Sequence, residues 1–313
     1  MRKCYGGIDL GGTYIKAGLL SSDGSIITKF KIPTDVDLGR DKVRANLLTS
    51  GRKLTDLAKK RGYRLAGIGV GSPGTVKYPE GLITASSPNI PGWIGTNIGK
   101  LFSEFTVPVR GDNDANCMGL AESKFGVGKG SKLGFYLTIG TGIGGALVVG
   151  GSLVRGATFA AGEFGHTVFK YGGKKYKTGQ RGPLEAYVAA PALVKYARSA
   201  AKKHKRSILE KNYDNLTTHT IFDAFNSGDP AAIEAITENA RMIGTAIGSV
   251  VNLINPEIVV IGGGVSEGGA RYIELIRNSA KSFAFDSATK GLKIKAARFG
   301  NEAGWIGAAC LNM

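Results

Sequence analysis

Cysteine is scarce and scattered: Cys4, Cys117 and Cys310 are the three in 313 residues, odd in number and without metal-ligand spacing. That excludes a disulfide framework and points to reduced thiols in a cytoplasmic setting. Long hydrophobic runs are also missing. The longest, such as ALVV and IVVI, are strand-sized, far short of the roughly 20 residues of a membrane span. The opening MRKCYGGIDLGG has basic residues but no apolar signal core, so no targeting segment is expected. Acidic residues are few, 24 against 41 Lys and Arg, giving a net charge of +17. Such a surplus draws in anions, nucleotides among them, and can support nonspecific nucleic-acid binding. The cations are dispersed, however, and only KKYK (174–177) and KKHKR (202–206) are dense, which reads as solvated faces.

Glycine is plentiful, with 48 residues that fall at turns rather than in a low-complexity block. With 42% apolar residues, a chain of this length buries a large core and is expected to form two domains. Val43, Leu47, Leu54, Leu57 and Ala58 recur at helical spacing over 41–62. Strands are expected over 65–74, 106–115, 257–266 and 292–299, and a hairpin over 133–154. A long helix is predicted from a cap at Asp229 and first-turn Pro230 to Asn255-Pro256, followed later by a short terminal helix from Glu302.

IDLGGTYIKAGLL (8–20) and LTIGTGIGGALVV (137–149) share one plan: apolar strand, Gly/Thr turn, apolar strand. Either they head a duplicated α/β domain or they are two ordinary hairpins in a glycine-rich protein. GVGSPG (69–74) and GTGIGG (140–145) have the G-x-G-x-x-G spacing, but Pro73 interrupts the first and strand-like sequence follows the second. A dinucleotide site needs a helix there, so none is assigned. No G-x-x-x-x-G-K-[ST] occurs. What remains is anion holding by turns, where the N–H groups around Gly11, Gly12 and Thr13 form a phosphate-sized nest. Gly140, Thr141 and Gly142 repeat the device, and the glycines at 262–264 admit a flat ligand such as adenine. Asp9 beside a phosphate would repel it unless a cation lay between, which points to Mg²⁺ held partly through water. A turn or cap role is the alternative for Asp9. Lys16 reads equally as a solvent-facing partner-strand residue or a phosphate contact.

DLGGTYIKAGL, GVGSPG, DNDANCMGLAE, TIGTGIGGALV, GEFGH, RGPLEAY and INPEIVVIGGGVS follow one another in the order seen in ROK sugar kinases. The chain resembles this group of kinases and repressors, part of the hexokinase–actin superfamily, along essentially its whole length. The resemblance implies an α/β fold of two ribonuclease-H-like (actin-like ATPase) domains around a hinged cleft. Residues 1–115 with 301–313 would form the first domain and 116–300 the second. It further implies a cytoplasmic homodimer that transfers the γ-phosphate of Mg-ATP to the 6-hydroxyl of a hexose, with no specific nucleic-acid partner and no membrane. Glucose is the expected sugar; mannose, fructose or an N-acetylhexosamine are alternatives. By position, Asp114 matches the general base, with Asp112 its competitor, read as a strand-end turn residue. Gly74, Asn89, Asn113, Glu163, His166 and Glu185 match sugar-side positions. Asp9, Gly11, Gly12 and Thr13 match the first phosphate motif, Thr141 and Gly142 the second, and Gly263 and Gly264 the adenosine motif.

One family pattern fails. Many ROK proteins carry C-x-C-G-x-x-G-C-x-E after GE-x-GH, and those cysteines with the histidine bind zinc. Here the stretch is YKTGQRGPLE (176–185), with Tyr176, Thr178 and Pro183 in place of the thiols. None is a soft ligand, so no zinc is expected and the loop must be held otherwise. Lys174, Lys175 and Lys177 would suit a longer polyphosphate donor, though a solvated loop is the plainer reading. A sugar-responsive repressor is the second functional class; its members carry a winged helix ahead of the kinase-like core, and with IDLGG starting at residue 8 none is expected here. A nucleotide-dependent assembly protein of the actin type does not predict NDAN, GEFGH and RGPLE together.

Overall fold

Strands and helices alternate from the first residues of the computed structural model, which describes residues 1–85, 90–264 and 268–313. Among them the elements begin with β1 (Arg2–Leu10), β2 (Tyr14–Ser21), β3 (Ile26–Pro33), α1 (Arg40–Lys60), β4 (Tyr63–Ser72), β5 (Thr75–Lys77), β6 (Leu82–Ala85), α2 (Ile98–Leu101), β7 (Val109–Asn113) and α3 (Asp114–Lys124). Then come β8 (Leu133–Ile139), β9 (Ile143–Val149), β10 (Ser152–Val154), α4 (Glu185–Val188), α5 (Ala190–Lys203), α6 (Ile208–Lys211) and α7 (Thr218–Asn226). The chain finishes with α8 (Pro230–Ile254), β11 (Ile258–Gly262), α9 (Gly269–Phe283), α10 (Asp286–Thr289), β12 (Lys293–Ala296) and α11 (Ala303–Cys310).

One five-stranded sheet runs β3-β2-β1-β4-β7 and the other β10-β9-β8-β11-β12. The antiparallel pair β2–β3 corresponds to β9–β10, the parallel pair β1–β4 to β8–β11, and the parallel pair β4–β7 to β11–β12. The two hairpins singled out in the sequence therefore head two copies of one strand plan rather than standing as unrelated turns.

By packing, residues 1–132, 146–162 and 298–313 make one compact unit, and 133–145 with 163–297 make another, the division passing through β9. The units depart from a boundary after residue 115: α3 groups with the first, because α11 lies directly on it. A Cβ on Gly307 of α11 would collide with the Cys117 carbonyl of α3. Likewise Gly7 of β1 and Gly69 of β4 have no room for a Cβ beside the carbonyls of Trp305 and Ala308. Bare glycine backbone on both sides lets this short helix approach the sheet closely, and Trp305 is wholly buried there. Helix α1 covers the sheet through Val43, Leu47, Leu54 and Ala58, as its spacing predicted, with Leu57 only partly buried.

In the second unit α8 starts as expected. The Asp229 side chain accepts from the Ala232 N–H, Pro230 follows, and Asn255 ends the helix in a left-handed conformation at φ 45°. Its buried face carries Ile236, Ile243 and Ile247, with Ala and Gly residues lining much of the rest. Gly244 and Gly248 face Ser279 and Phe283 of α9 at distances too short for a Cβ. No helix among the described residues is long and apolar enough to cross a membrane. Cys4, Cys117 and Cys310 are all buried free thiols.

Candidate active site

In the first unit, β1 delivers Asp9 to the mouth of the Gly11–Thr13 turn. The turn is pinned by the Gly11 N–H donating to the Tyr14 carbonyl at 3.2 Å and by Thr34, whose hydroxyl donates to the Gly11 carbonyl at 2.7 Å. Gly12 and Thr13 are exposed, and the space a Cβ of Gly12 would fill is open. An oxygen-rich ligand can thus approach the backbone closely. Asp9 is partly buried against Gly304 and lies in register between Lys16 and Gly71. Its carboxyl pKa is pushed up to about 7, chiefly by withdrawal from water, with Asp114 and Glu302 adding to the rise and Lys16 opposing it. The Lys16 ammonium also donates to the Asn301 carbonyl at 3.2 Å.

β7 runs straight into α3 and places three polar residues in different situations. Asp112 has no solvent exposure and receives Nε and Nη2 of Arg155 on Oδ2 at 2.8 and 2.7 Å. Its Oδ1 accepts from the Asn113 N–H at 2.8 Å and the Asn116 amide at 2.9 Å. It is thus the end of a strand locked in a buried ion pair, not a turn residue, and both its oxygens are already occupied by protein donors. Asn113 is the N-cap of α3. Its Oδ1 accepts from the N–H groups of Ala115 and Asn116, and its amide donates to the Gly74 carbonyl at 3.0 Å. Gly74 has φ +94°, a conformation that favours glycine. Asp114, the first residue of α3, is exposed, and its Oδ1 accepts from the Ala115 N–H at 2.8 Å. Asn89 lies outside the described residues.

The second unit holds the remaining positions. Thr141 is exposed at the tip of the turn between β8 and β9, and the Gly140 N–H closes that turn onto the Gly142 carbonyl at 2.9 Å. Gly142 abuts Glu185: a Cβ there would stand 2.6 Å from Oε2. Glu185, at the start of α4, is buried; Oε2 accepts from the Ile143 N–H at 2.7 Å and Oε1 from the Tyr176 hydroxyl at 2.7 Å. Glu163 and His166 are one turn apart, 3.9 Å between Oε2 and Nε2, and His166 Nδ1 pairs with Gln180 Oε1 at 2.9 Å. At the end of β11, Gly263 has φ +84° and packs against the Ile139 backbone, while the Cβ space at Gly264 is open.

Arg155 and Gln180 were not singled out in the sequence, and Tyr176 was noted there only as a residue standing in place of a thiol. Arg155 follows a short strand with no motif around it; only the rule that a buried carboxylate requires a counter-charge would have demanded such a residue. Tyr176 and Gln180 lie in the loop that departs from the cysteine pattern. That loop is closed by bridges between Val168 and Pro183 and between Lys175 and Arg181. Among the described residues, no group of three or more His, Cys, Asp or Glu could hold a metal ion.

The ROK family model matches residues 5–313. The chain belongs to the ROK family. A glucokinase from Halalkalibacterium halodurans is 36% identical over 312 residues, covering 98% of this chain and 94% of that protein. A xylose repressor from Caldicellulosiruptor bescii is 32% identical over 318 residues, covering 98% of this chain but 77% of the repressor. Among solved structures, a ROK glucokinase from Streptomyces griseus in complex with glucose and AMPPNP superposes with a TM-score of 0.85 at 29% identity, covering 98% of each chain. The paired α/β units are those of the actin-like ATPase fold shared by these ROK proteins.

Proposed function

We propose that the protein is an ATP-dependent sugar kinase that phosphorylates the 6-hydroxyl of glucose with Asp114 as general base. The observation that carries this reading is the contrast at the β7–α3 junction. Of two acidic residues, Asp112 is consumed by Arg155, and Asp114 stands exposed at a helix start. The similarity to glucokinases over nearly the whole chain supports glucose as acceptor.

A sugar hydroxyl is too weak an acid to ionise before it attacks. The Asp114 carboxylate takes its proton as the oxygen–phosphorus bond forms and the bond to the departing ADP oxygen breaks, a contribution of roughly 10²–10⁴-fold. The Gly11–Thr13 and Gly140–Gly142 turns offer backbone donors to the phosphates, and Gly263–Gly264 lets backbone lie against the adenosine. Asp9 fits a Mg²⁺ that travels with ATP, because a withdrawn carboxylate crowded by two like charges would be relieved by a cation, and it would hold that cation near the Gly11–Thr13 turn. Magnesium neutralises charge on the triphosphate when bound. Glu163, His166, Glu185 and Asn113 supply acceptors and donors for ring hydroxyls, each of which both gives and accepts a hydrogen bond.

A panel of glucose, mannose, fructose and N-acetylhexosamines, scored for ADP release with wild type and Asp114→Asn, tests this reading. Turnover should be greatest with glucose and nearly vanish in the variant while sugar binding persists. Equal turnover in the variant would remove Asp114 from the chemistry. No turnover with any sugar, together with sugar-dependent binding to DNA, would favour the regulator class represented by the xylose repressor.

A further inference from the structure

The loop 171–181 carries a side chain that reaches a buried acidic residue of the second unit, Glu185. Tyr176 stands at the first position where this sequence departs from the cysteine pattern, and its hydroxyl donates to Glu185 Oε1 at 2.7 Å. On the other oxygen, the Ile143 N–H donates at 2.7 Å. Lys177 Nζ lies 3.7 Å from Oε1. We infer that Tyr176 is a positioning residue that fixes the Glu185 carboxylate for sugar binding, an inference that rests on the sugar-kinase reading and assigns a specificity role to this loop.

A carboxylate held by a donor on each oxygen cannot rotate about its terminal torsion. The acceptor sites that remain are then fixed in direction, which matters when the partner is a hydroxyl on a rigid ring. Burial and the bond to Glu185 push the Tyr176 phenol far above its ordinary pKa, so it remains the donor throughout the working range. The loop has other ties. The Lys174 N–H donates to the Tyr187 hydroxyl at 3.1 Å, the Tyr176 N–H to the Gln180 carbonyl at 2.8 Å, and the Gly182 N–H to the Lys174 carbonyl at 2.9 Å. Its course therefore does not depend on the Tyr176 hydroxyl, and that hydroxyl is left to orient Glu185.

Steady-state kinetics with glucose and ATP on wild type, Tyr176→Phe, Tyr187→Phe and Glu185→Gln separate the roles. Tyr176→Phe should raise KM for glucose about tenfold, the loss expected for one hydrogen bond to a charged group, with kcat and KM for ATP within about twofold of wild type. Tyr187→Phe cuts a loop tie without touching Glu185 and should leave KM for glucose near wild type. If both tyrosine variants raise it alike, loop order accounts for the effect and the positioning role is overturned. If Glu185→Gln raises KM for glucose and Tyr176→Phe does not, positioning fails while the sugar site stands. If Glu185→Gln leaves it unchanged, the assignment of Glu185 fails and takes the inference with it. The rise in melting temperature on adding glucose reads the same contrast without turnover, should Tyr176→Phe prove catalytically weak.

Discussion

Asp112 and Asp114 lie two positions apart and occupy opposite electrostatic situations, one sealed against Arg155 without solvent exposure, the other exposed at the first position of α3. Asp114→Asn should lower kcat by roughly 10²–10⁴-fold and leave the urea midpoint close to wild type. Steady-state kinetics beside urea denaturation check both halves. A large loss of stability would make Asp114 a structural residue.

Arg155 should behave in the reverse way. Its guanidinium also stacks on Tyr78, 3.7 Å from the ring centroid, so it is held on two sides. Arg155→Met leaves a buried carboxylate unpaired and should destabilise the protein by about 3–5 kcal/mol. The double variant Asp112→Asn/Arg155→Met should recover most of that loss, because no uncompensated charge remains. Equal destabilisation of single and double variants in urea titrations would show that packing, not charge, is what Arg155 supplies.

Asp9 gives stability a pH dependence. Its folded-state pKa of about 7 lies above the ordinary 3.8, so between those values the folded protein holds a proton that the unfolded chain has lost. Stability is therefore fully present below pH ~4 and falls as pH rises to ~7, by at most about 4 kcal/mol from this residue. Without nucleotide or magnesium, Asp9→Asn should flatten this slope and exceed wild type at pH 8. Urea midpoints at pH 5 and pH 8 measure it; a constant gap between the two proteins would contradict the shift.

The same substitution should have different effects at two glycines. Gly307→Ala forces a methyl into the Cys117 carbonyl and should cost about 3 kcal/mol or prevent folding. Gly12→Ala has open space and should change stability by no more than ~0.5 kcal/mol. There the methyl instead stands where phosphate would approach the turn, so KM for ATP should rise. Thermal melting and ATP titration separate the two.

Much of the fold was legible because it is written locally. The Gly/Thr turns, the Asp229–Pro230 start of α8 and its Asn255 stop are all signals within a few residues of the feature they specify. The face that α8 buries was less legible, since Gly244 and Gly248 matter only through α9. The grouping of α3 with the first unit depends on α11, almost two hundred residues later, and no local pattern announces it. At the site, motif positions named the acids, but Arg155, Tyr176 and Gln180 are defined by partners 43, 9 and 14 residues away. Such pairings come from folding itself, and a single sequence carries no mark of them.

Helix α11 has a further consequence. Its backbone at Trp305 and Ala308 packs on the bare glycines of β1 and β4, yet it is made only after the second unit. During translation the first sheet must wait, one face uncovered, while the entire second unit is synthesised. A ribosome stalled short of residue 303 would present a nascent chain whose earliest strands are still exposed to chaperones and proteases.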